Sequence, residues 1–122
     1  MKIYRKNKYG AKRCRCVNNH IHQSKGEAGY CNDLTLRVKA GDLAKFEIQK
    51  KFELHGVDGR FVTNHYVDFL LTDFNEEQEI HEYKSKGTVT PEWKLKKTLC
   101  QIEYPKIPYI IVWHKTRGYK TA

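Results

Sequence analysis

The chain has 122 residues, and its 23 Lys and Arg outnumber its 14 Asp and Glu, which gives a formal net charge of +9 at pH 7. This length suits one domain with one hydrophobic core, and an apolar content of 39% excludes wholesale disorder. No apolar run approaches the roughly 18–20 residues that span a bilayer, and neither a secretory signal nor a lipidation motif is evident. The positive charge indicates a polyanionic partner, most simply nucleic acid, with an anionic membrane surface as the rival.

Chain-order patterning predicts a single domain over residues 1–122, since there is no repeat, low-complexity tract or linker. Ser24 and Thr90 are suited to cap two helices, and Gly41 and Pro105 to end them. The predicted elements are a basic arm over 1–12, a hairpin over 13–17 and 20–23, a helix over 24–40, strands over 46–54, 61–72 and 79–84, a helix over 91–104, a strand over 107–113 and a basic tail over 114–122.

These elements predict an α/β (α+β) fold in which a mixed central sheet has a helix on either side and the N-terminal hairpin is peripheral. Strands 61–72 and 79–84 should be antiparallel neighbours, because only a short polar turn joins them. Side chains should alternate along 61–72, with Asp68 and Leu70 on one face and Val67 and Phe69 on the other. In the strand before it, the alternation slips between Ile48 and Phe52.

Asp68 and the segment Glu82-Tyr83-Lys84 form the sharpest chemical pattern. Residues two apart on a strand share a face, so Glu82 and Lys84 should project together. The antiparallel pairing should bring Asp68 to the same region. Two carboxylates offer oxygen ligands to a hard divalent cation, and the adjacent ammonium can orient an attacking water. The alternative is a solvated charge pair on an ordinary strand.

Six short segments, spread in order over most of residues 8–112, together form a recognisable pattern. They are Lys8-Tyr9-Gly10-Ala11-Lys12, Ser24-Lys25-Gly26-Glu27-Ala28, Gln49 ahead of Phe52-Glu53-Leu54, Tyr66-Val67-Asp68-Phe69, Glu82-Tyr83-Lys84 and Thr90-Pro91-x-x-Lys94-x-Lys96. This series resembles the PD-(D/E)XK nuclease superfamily and, more narrowly, small phage and prophage proteins within it. Two positions differ, since His22 stands where that group usually has an aromatic residue and Tyr83 where it often has Asp or Val.

The resemblance implies a restriction-endonuclease-like fold and a catalytic set of Glu27, Asp68, Glu82 and Lys84. It implies that the three carboxylates bind Mg²⁺, with Mn²⁺ as a substitute, and that Lys84 is the catalytic lysine. It also implies that Gln49 is a polar residue of the site. Glu27 has a competing role as the acid of a capping box with Ser24.

A second pattern, Cys14-x-Cys16 with His20-x-His22, is typical of a zinc site only if all four side chains meet. A two-residue turn at Asn18-Asn19 would place the cysteines on one face of the hairpin and the histidines on the other. A three-residue loop would bring them together. We therefore expect no Zn²⁺ here. The cysteines should be reduced thiols of a cytoplasmic protein, with Cys31 and Cys100 in the core.

Basic residues near the N-terminus and on the second helix are interleaved with aromatic residues, as on nucleic-acid surfaces. Lys94, Lys96 and Lys97 are predicted to hold phosphates beside the site, and Gln49 to contribute to it. The sequence thus favours a metal-dependent endonuclease acting on duplex or branched DNA, encoded by a phage or prophage and working in the bacterial cytoplasm without a membrane partner. The alternatives are a non-catalytic nucleic-acid-binding protein and a small zinc-stabilised phage regulator. The sequence does not decide whether the protein forms a homodimer that cuts both DNA strands.

Overall fold

The computed structural model describes residues 13–115 and 118–121. Within these ranges the chain forms a five-stranded sheet, a two-stranded hairpin and two α-helices. The elements are β1 (Cys14–Arg15), β2 (Ile21–His22), α1 (Lys25–Lys39), β3 (Lys45–His55), β4 (Phe61–Thr72), β5 (Gln78–Lys84), a 3-10 turn (Lys86–Thr88), α2 (Pro91–Glu103), β6 (Tyr109–Lys115) and β7 (Gly118–Thr121). The basic arm predicted for 1–12 lies outside the described residues.

The predicted fold class is confirmed. The sheet has the order β3-β4-β5-β6-β7, with β5 and β6 parallel and the other neighbouring pairs antiparallel. The predicted antiparallel pairing of strands 61–72 and 79–84 is confirmed, since β4 pairs with β5 in this way. Helix α2 forms the crossover connection that the parallel pair β5–β6 requires. The segment predicted as a basic tail, 114–122, contains strand structure, because β6 runs to Lys115 and Gly118–Thr121 pairs with it. Charged residues do not prevent a strand at the edge of a sheet.

The sheet separates two apolar cores. On one face, α1 and the hairpin pack against Phe69, Leu71 and Val112. On the other face, α2 buries Cys100 against Val67, Leu70 and Ile80. Cys100 is therefore a core thiol, as predicted.

Both helices begin and end where their capping residues predict. Ser24 Oγ accepts a hydrogen bond from the Glu27 N–H at 3.1 Å, and Thr90 Oγ1 accepts one from the Trp93 N–H. Gly41 follows α1 with φ of +79°, the left-handed conformation that ends many helices. These local signals set where α1 and α2 begin and end.

The side-chain alternation of β3 and β4 switches faces at one shared point. Before the switch, Ile48 packs with the α1 core, whereas Phe52 packs with the α2 core, which confirms the predicted slip. The cause is Gln49, whose φ of +49° is left-handed inside a strand. Asp68 lies opposite Gln49, between the pairs Ile48–Phe69 and Lys50–Val67. The uninterrupted alternation predicted for β4 is therefore wrong, since Val67 and Phe69 belong to opposite cores.

The hairpin also differs from its predicted register. Cys14 pairs with His22 and Arg15 with Ile21, and the Cys16 N–H donates to the His20 carbonyl at 3.0 Å. The loop thus has three residues rather than two, and Asn19 closes it with φ of +67°. One additional loop residue moves the histidines to the face that carries Cys16, so the predicted separation of cysteines and histidines is wrong.

Candidate functional site

The centre of the candidate site is the point where β4 and β5 stop pairing. Their ladder ends at Phe69–His81, although β5 continues to Lys84 alongside β6. In place of the next rung, Asp68 Oδ2 accepts a hydrogen bond from the Tyr83 N–H at 2.8 Å. Gln49 Nε2 lies 3.5 Å from Asp68 Oδ1, so the predicted neighbour of the site is adjacent to it. The switch at Gln49 therefore directs Asp68 into a fork between two strands.

Glu82 and Lys84 share the α2 face of β5, as their spacing predicts. Glu82 is 2% exposed, and its Oε1 accepts a hydrogen bond from the Tyr109 hydroxyl at 2.9 Å. Lys84 Nζ lies 4.5 Å from the ring centroid of Trp93 on α2. Lys84 is half-buried, and the attraction between its cation and the aromatic face holds the side chain in place. The lysine is thus positioned beside a buried acid.

Glu27 enters the site from α1 because that helix approaches β5 closely. At Gly26, a Cβ atom would lie 2.0 Å from the Tyr83 hydroxyl oxygen, so only glycine permits this approach. Glu27 is 6% exposed, and its Oε2 lies 2.9 Å from His22 Nδ1. Glu27 therefore makes only half of the predicted capping box, since its backbone binds Ser24 while its carboxylate faces the interior.

The three carboxyl groups influence one another electrostatically. Burial, followed by the charges of Glu82 and Glu27, raises the pKa of Asp68 well above its usual value. Burial also raises the pKa of Glu82, against the opposing charge of Lys84. Like charges gathered in a poorly solvated place favour either a retained proton or a bound cation. Oxygen donors of this kind suit Mg²⁺ or Mn²⁺.

A hydrogen-bonded pair, His65 and Tyr109, supports Glu82 and was not found by sequence reasoning. His65 Nε2 lies 2.8 Å from the Tyr109 oxygen, whose hydroxyl donates to Glu82. Burial and the nearby Lys96 and Lys84 charges lower the pKa of His65 to about 4. A neutral His65 can donate through Nε2 and fix the Tyr109 proton toward Glu82. The only sequence signal was a histidine within an apolar strand face.

The three lysines of α2 lie at different depths. Lys97 Nζ is 5.9 Å from the ring centroid of Tyr109 and 6.0 Å from that of Trp93, so it borders the site. Lys96 pairs with Glu92 at 3.1 Å and acts electrostatically on His65. Lys94 is exposed on the helix. Of the predicted phosphate-binding lysines, two therefore lie near the His65–Tyr109 pair that supports Glu82.

A second cluster gathers four side chains that suit a soft metal ion. Ligand atoms of Cys16, His20, His22 and Cys31 all lie within 4.8 Å of one another. The hairpin supplies the first three, and α1 supplies Cys31. Sequence reasoning placed Cys31 in the core and combined Cys14 with the histidines instead, because the hairpin register and the docking of α1 are set by tertiary contacts. The register argument against zinc therefore fails.

A pocket of about 710 Å³ lies at the opposite end of the β4–β5 hairpin, away from both clusters. Its lining is rich in acidic side chains, namely Asp42, Asp73, Glu76, Glu77 and Glu79. Such a lining repels polyanions, so this pocket does not suit nucleic acid.

Comparison with known proteins identifies a family but no activity. The model of the family described as "Protein of unknown function (DUF1064)" matches residues 6–120. No curated protein and no solved structure matches the chain significantly. In the part of the chain that the structure describes, no helix is both long and apolar enough to cross a membrane.

Proposed function

Because the chain belongs to the DUF1064 family, whose function is unknown, we propose a function from the site itself: the protein is a metal-dependent nuclease that hydrolyses phosphodiester bonds in DNA. The observation that carries the proposal is the hydrogen-bonded pair of carboxyl groups, Asp68 and Glu82, with the charge of Lys84 acting on Glu82 and the charge of Glu27 acting on both. The three carboxyl groups come from three different elements, so no local structural need explains their electrostatic coupling. The ordered resemblance to PD-(D/E)XK nucleases assigns roles to the same four residues.

In this proposal Asp68, Glu82 and Glu27 hold Mg²⁺, for which Mn²⁺ substitutes. The bound ion supplies Lewis acidity toward the phosphate and lowers the pKa of a coordinated water. Lys84 orients the attacking water and stabilises negative charge on the phosphate. The Tyr109 hydroxyl holds Oε1 of Glu82, and Glu82 also shares a side-chain hydrogen bond with Asp68, so in this proposal the ion takes the place of the proton between the two carboxyl groups.

DNA is the proposed substrate because the molecule is strongly basic and two α2 lysines lie near the His65–Tyr109 pair that supports Glu82. In this proposal Lys96 and Lys97 contact phosphates on one side of the scissile bond, and Lys94 lies further out; their positions near Tyr109 and His65 support this assignment. All four cysteines are free thiols, which agrees with the proposed location in the cytoplasm of a phage host.

The test is cleavage of a DNA panel, consisting of plasmid, linear, flapped and four-way substrates, with Mg²⁺, with Mn²⁺ and with neither. Asp68→Asn and Glu82→Gln preserve shape but remove charge, so each should abolish metal-dependent cleavage. Lys84→Ala should retain metal binding and lose about 10²–10⁴-fold in rate, the usual contribution of a general acid–base group.

Matched controls are Glu53→Gln and Lys51→Ala, which alter exposed residues of β3. Both should cleave like the wild type. The proposal is wrong if the wild type cleaves none of the panel with either metal, or if Asp68→Asn cleaves at the wild-type rate. Metal-independent binding without cleavage would instead support the non-catalytic nucleic-acid-binding alternative.

A further inference from the structure

We propose that Cys16, His20, His22 and Cys31 bind one structural zinc ion that fastens the N-terminal hairpin to α1. Its four ligands differ from those of the carboxylate site, since thiolate and imidazole are the ligands that zinc prefers, and Glu27 contacts this second site through His22. The proposal does not depend on nuclease activity.

The spacing of the four ligand atoms is close to what zinc requires. Tetrahedral zinc, with Zn–S of about 2.3 Å and Zn–N of about 2.0–2.1 Å, separates its ligand atoms by roughly 3.3–3.8 Å. Cys31 Sγ and His20 Nδ1 already lie 3.7 Å apart, and no pair exceeds 4.8 Å. Side-chain shifts of about 1 Å are enough to complete the tetrahedron.

His22 provides an independent indication of a metal. The side chain is 3% exposed, and its Nε2 is buried without a hydrogen-bond partner. Burying a polar atom without a partner is unfavourable, so a native structure rarely keeps one without a reason. The other nitrogen, Nδ1, lies 2.9 Å from Glu27 Oε2. A carboxylate that holds one ring nitrogen while the second binds metal is the usual arrangement around zinc-bound histidines.

The site is closed, which favours a structural role over a catalytic one. Four protein ligands fill the tetrahedron and leave no position for water or substrate. Cys16 and Cys31 are 7% and 0% exposed. The hairpin needs such a link, because each of its strands has only two residues and an isolated hairpin is marginally stable.

Metal content is the direct test. Untagged protein, purified without chelators, should contain about one equivalent of zinc. Cys16→Ser and Cys31→Ser should each reduce the content to a small fraction of that. Cys14→Ser is the matched control, since Cys14 lies two residues from Cys16 in the same hairpin but outside the cluster, and it should keep its full equivalent.

Cobalt substitution of the wild type keeps the test decisive even if the serine variants fold poorly. Zinc-stripped wild type and Cys14→Ser should both bind one Co²⁺ and show the visible absorption of tetrahedral thiolate–cobalt. The proposal is overturned if the wild type holds no zinc and gives no such absorption, if Cys16→Ser and Cys31→Ser keep a full equivalent, or if mass spectrometry of the unreduced protein finds a Cys16–Cys31 disulfide.

Discussion

The surroundings of Asp68 raise its pKa well above the value usual for an aspartate. Asp68 lies at the point where two strands change faces, it takes over a backbone N–H from the sheet, and it faces the charges of Glu82 and Glu27. Burial among acids makes its ionised form unfavourable in the absence of a cation. A purely structural carboxylate would be placed near positive charge instead, so this environment suits a metal ligand.

At the residue scale we therefore predict that Asp68→Asn stabilises the protein without Mg²⁺ or Mn²⁺. The folded-state pKa is raised, so the folded state binds more protons than the unfolded state between the two pKa values. Stability is then full below the unfolded pKa, near 3.9, and falls as pH rises toward the folded pKa. Each pKa unit of difference costs about 1.4 kcal/mol. Thermal unfolding should show no advantage for the variant near pH 4 and a higher Tm near pH 8.

The same experiment with metal completes this prediction. Added Mg²⁺ should raise the Tm of the wild type at pH 8 and leave that of Asp68→Asn unchanged. Glu53→Gln, an exposed carboxyl on β3, should follow the wild type throughout. An Asp68→Asn variant that is less stable than wild type at both pH values would mean that the carboxylate has a structural role.

At the scale of elements, the site depends on how closely α1 approaches β5. Gly26 is the contact point, because the Tyr83 hydroxyl occupies the space that a side chain would need. The Tyr83 hydroxyl also lies 2.6 Å from His114 Nδ1, so the ring cannot move aside without losing that hydrogen bond. The approach positions Glu27 one residue later along the helix. The close contact between Gly26 of α1 and Tyr83 of β5 therefore sets where Glu27 lies relative to Asp68 and Glu82.

We predict that Gly26→Ala destabilises the protein by about 1–3 kcal/mol, the usual cost of overpacking. It should also reduce metal-dependent cleavage, since it displaces Glu27. The matched control is Gly29→Ala in the same helix, where a Cβ meets nothing within 4 Å. That variant should gain up to about 1 kcal/mol from helix propensity and keep full activity. Equal Tm and cleavage for the two variants would show that the close approach does not matter.

At the scale of the whole molecule, charge is distributed unevenly over the two ends of the β4–β5 hairpin. The turn end carries an acidic pocket, whereas the fork end faces the lysines of α2. A net charge of +9 favours contact with polyanions in general. Under the proposed function, this asymmetry would orient a bound duplex toward the fork, through phosphate contacts that position a substrate without reading its sequence.

We accordingly predict that Lys96→Ala and Lys97→Ala weaken binding to all DNA sequences about equally in Mg²⁺-free buffer. Each lost phosphate contact should flatten the slope of log K against log salt by about one unit. Lys39→Ala is the control, because Lys39 is exposed at the end of α1 on the other face of the sheet. Unchanged affinity and slope for both variants would mean that these lysines form only a solvated helix face.

The sequence by itself determined the features that arise from neighbouring residues. Helix caps at Ser24 and Thr90, the antiparallel pairing of β4 with β5 and the shared face of Glu82 and Lys84 all follow from local periodicity and turn chemistry. These patterns act over a few residues, so they are visible in the chain before it folds. The acidic and basic residue types of the candidate site were visible in the same way.

Only the tertiary structure decided which side chains meet. A left-handed Gln49 switches the face of both strands at Asp68, and one extra loop residue turns the hairpin histidines toward Cys16. Cys31 joins that cluster from a separate helix. The residue pattern predicts neither the positive φ of Gln49 nor the docking of α1. Both depend on contacts between segments that are distant in the sequence. Because side chains alternate between the two faces of a strand, a shift of one residue moves every later residue to the opposite face.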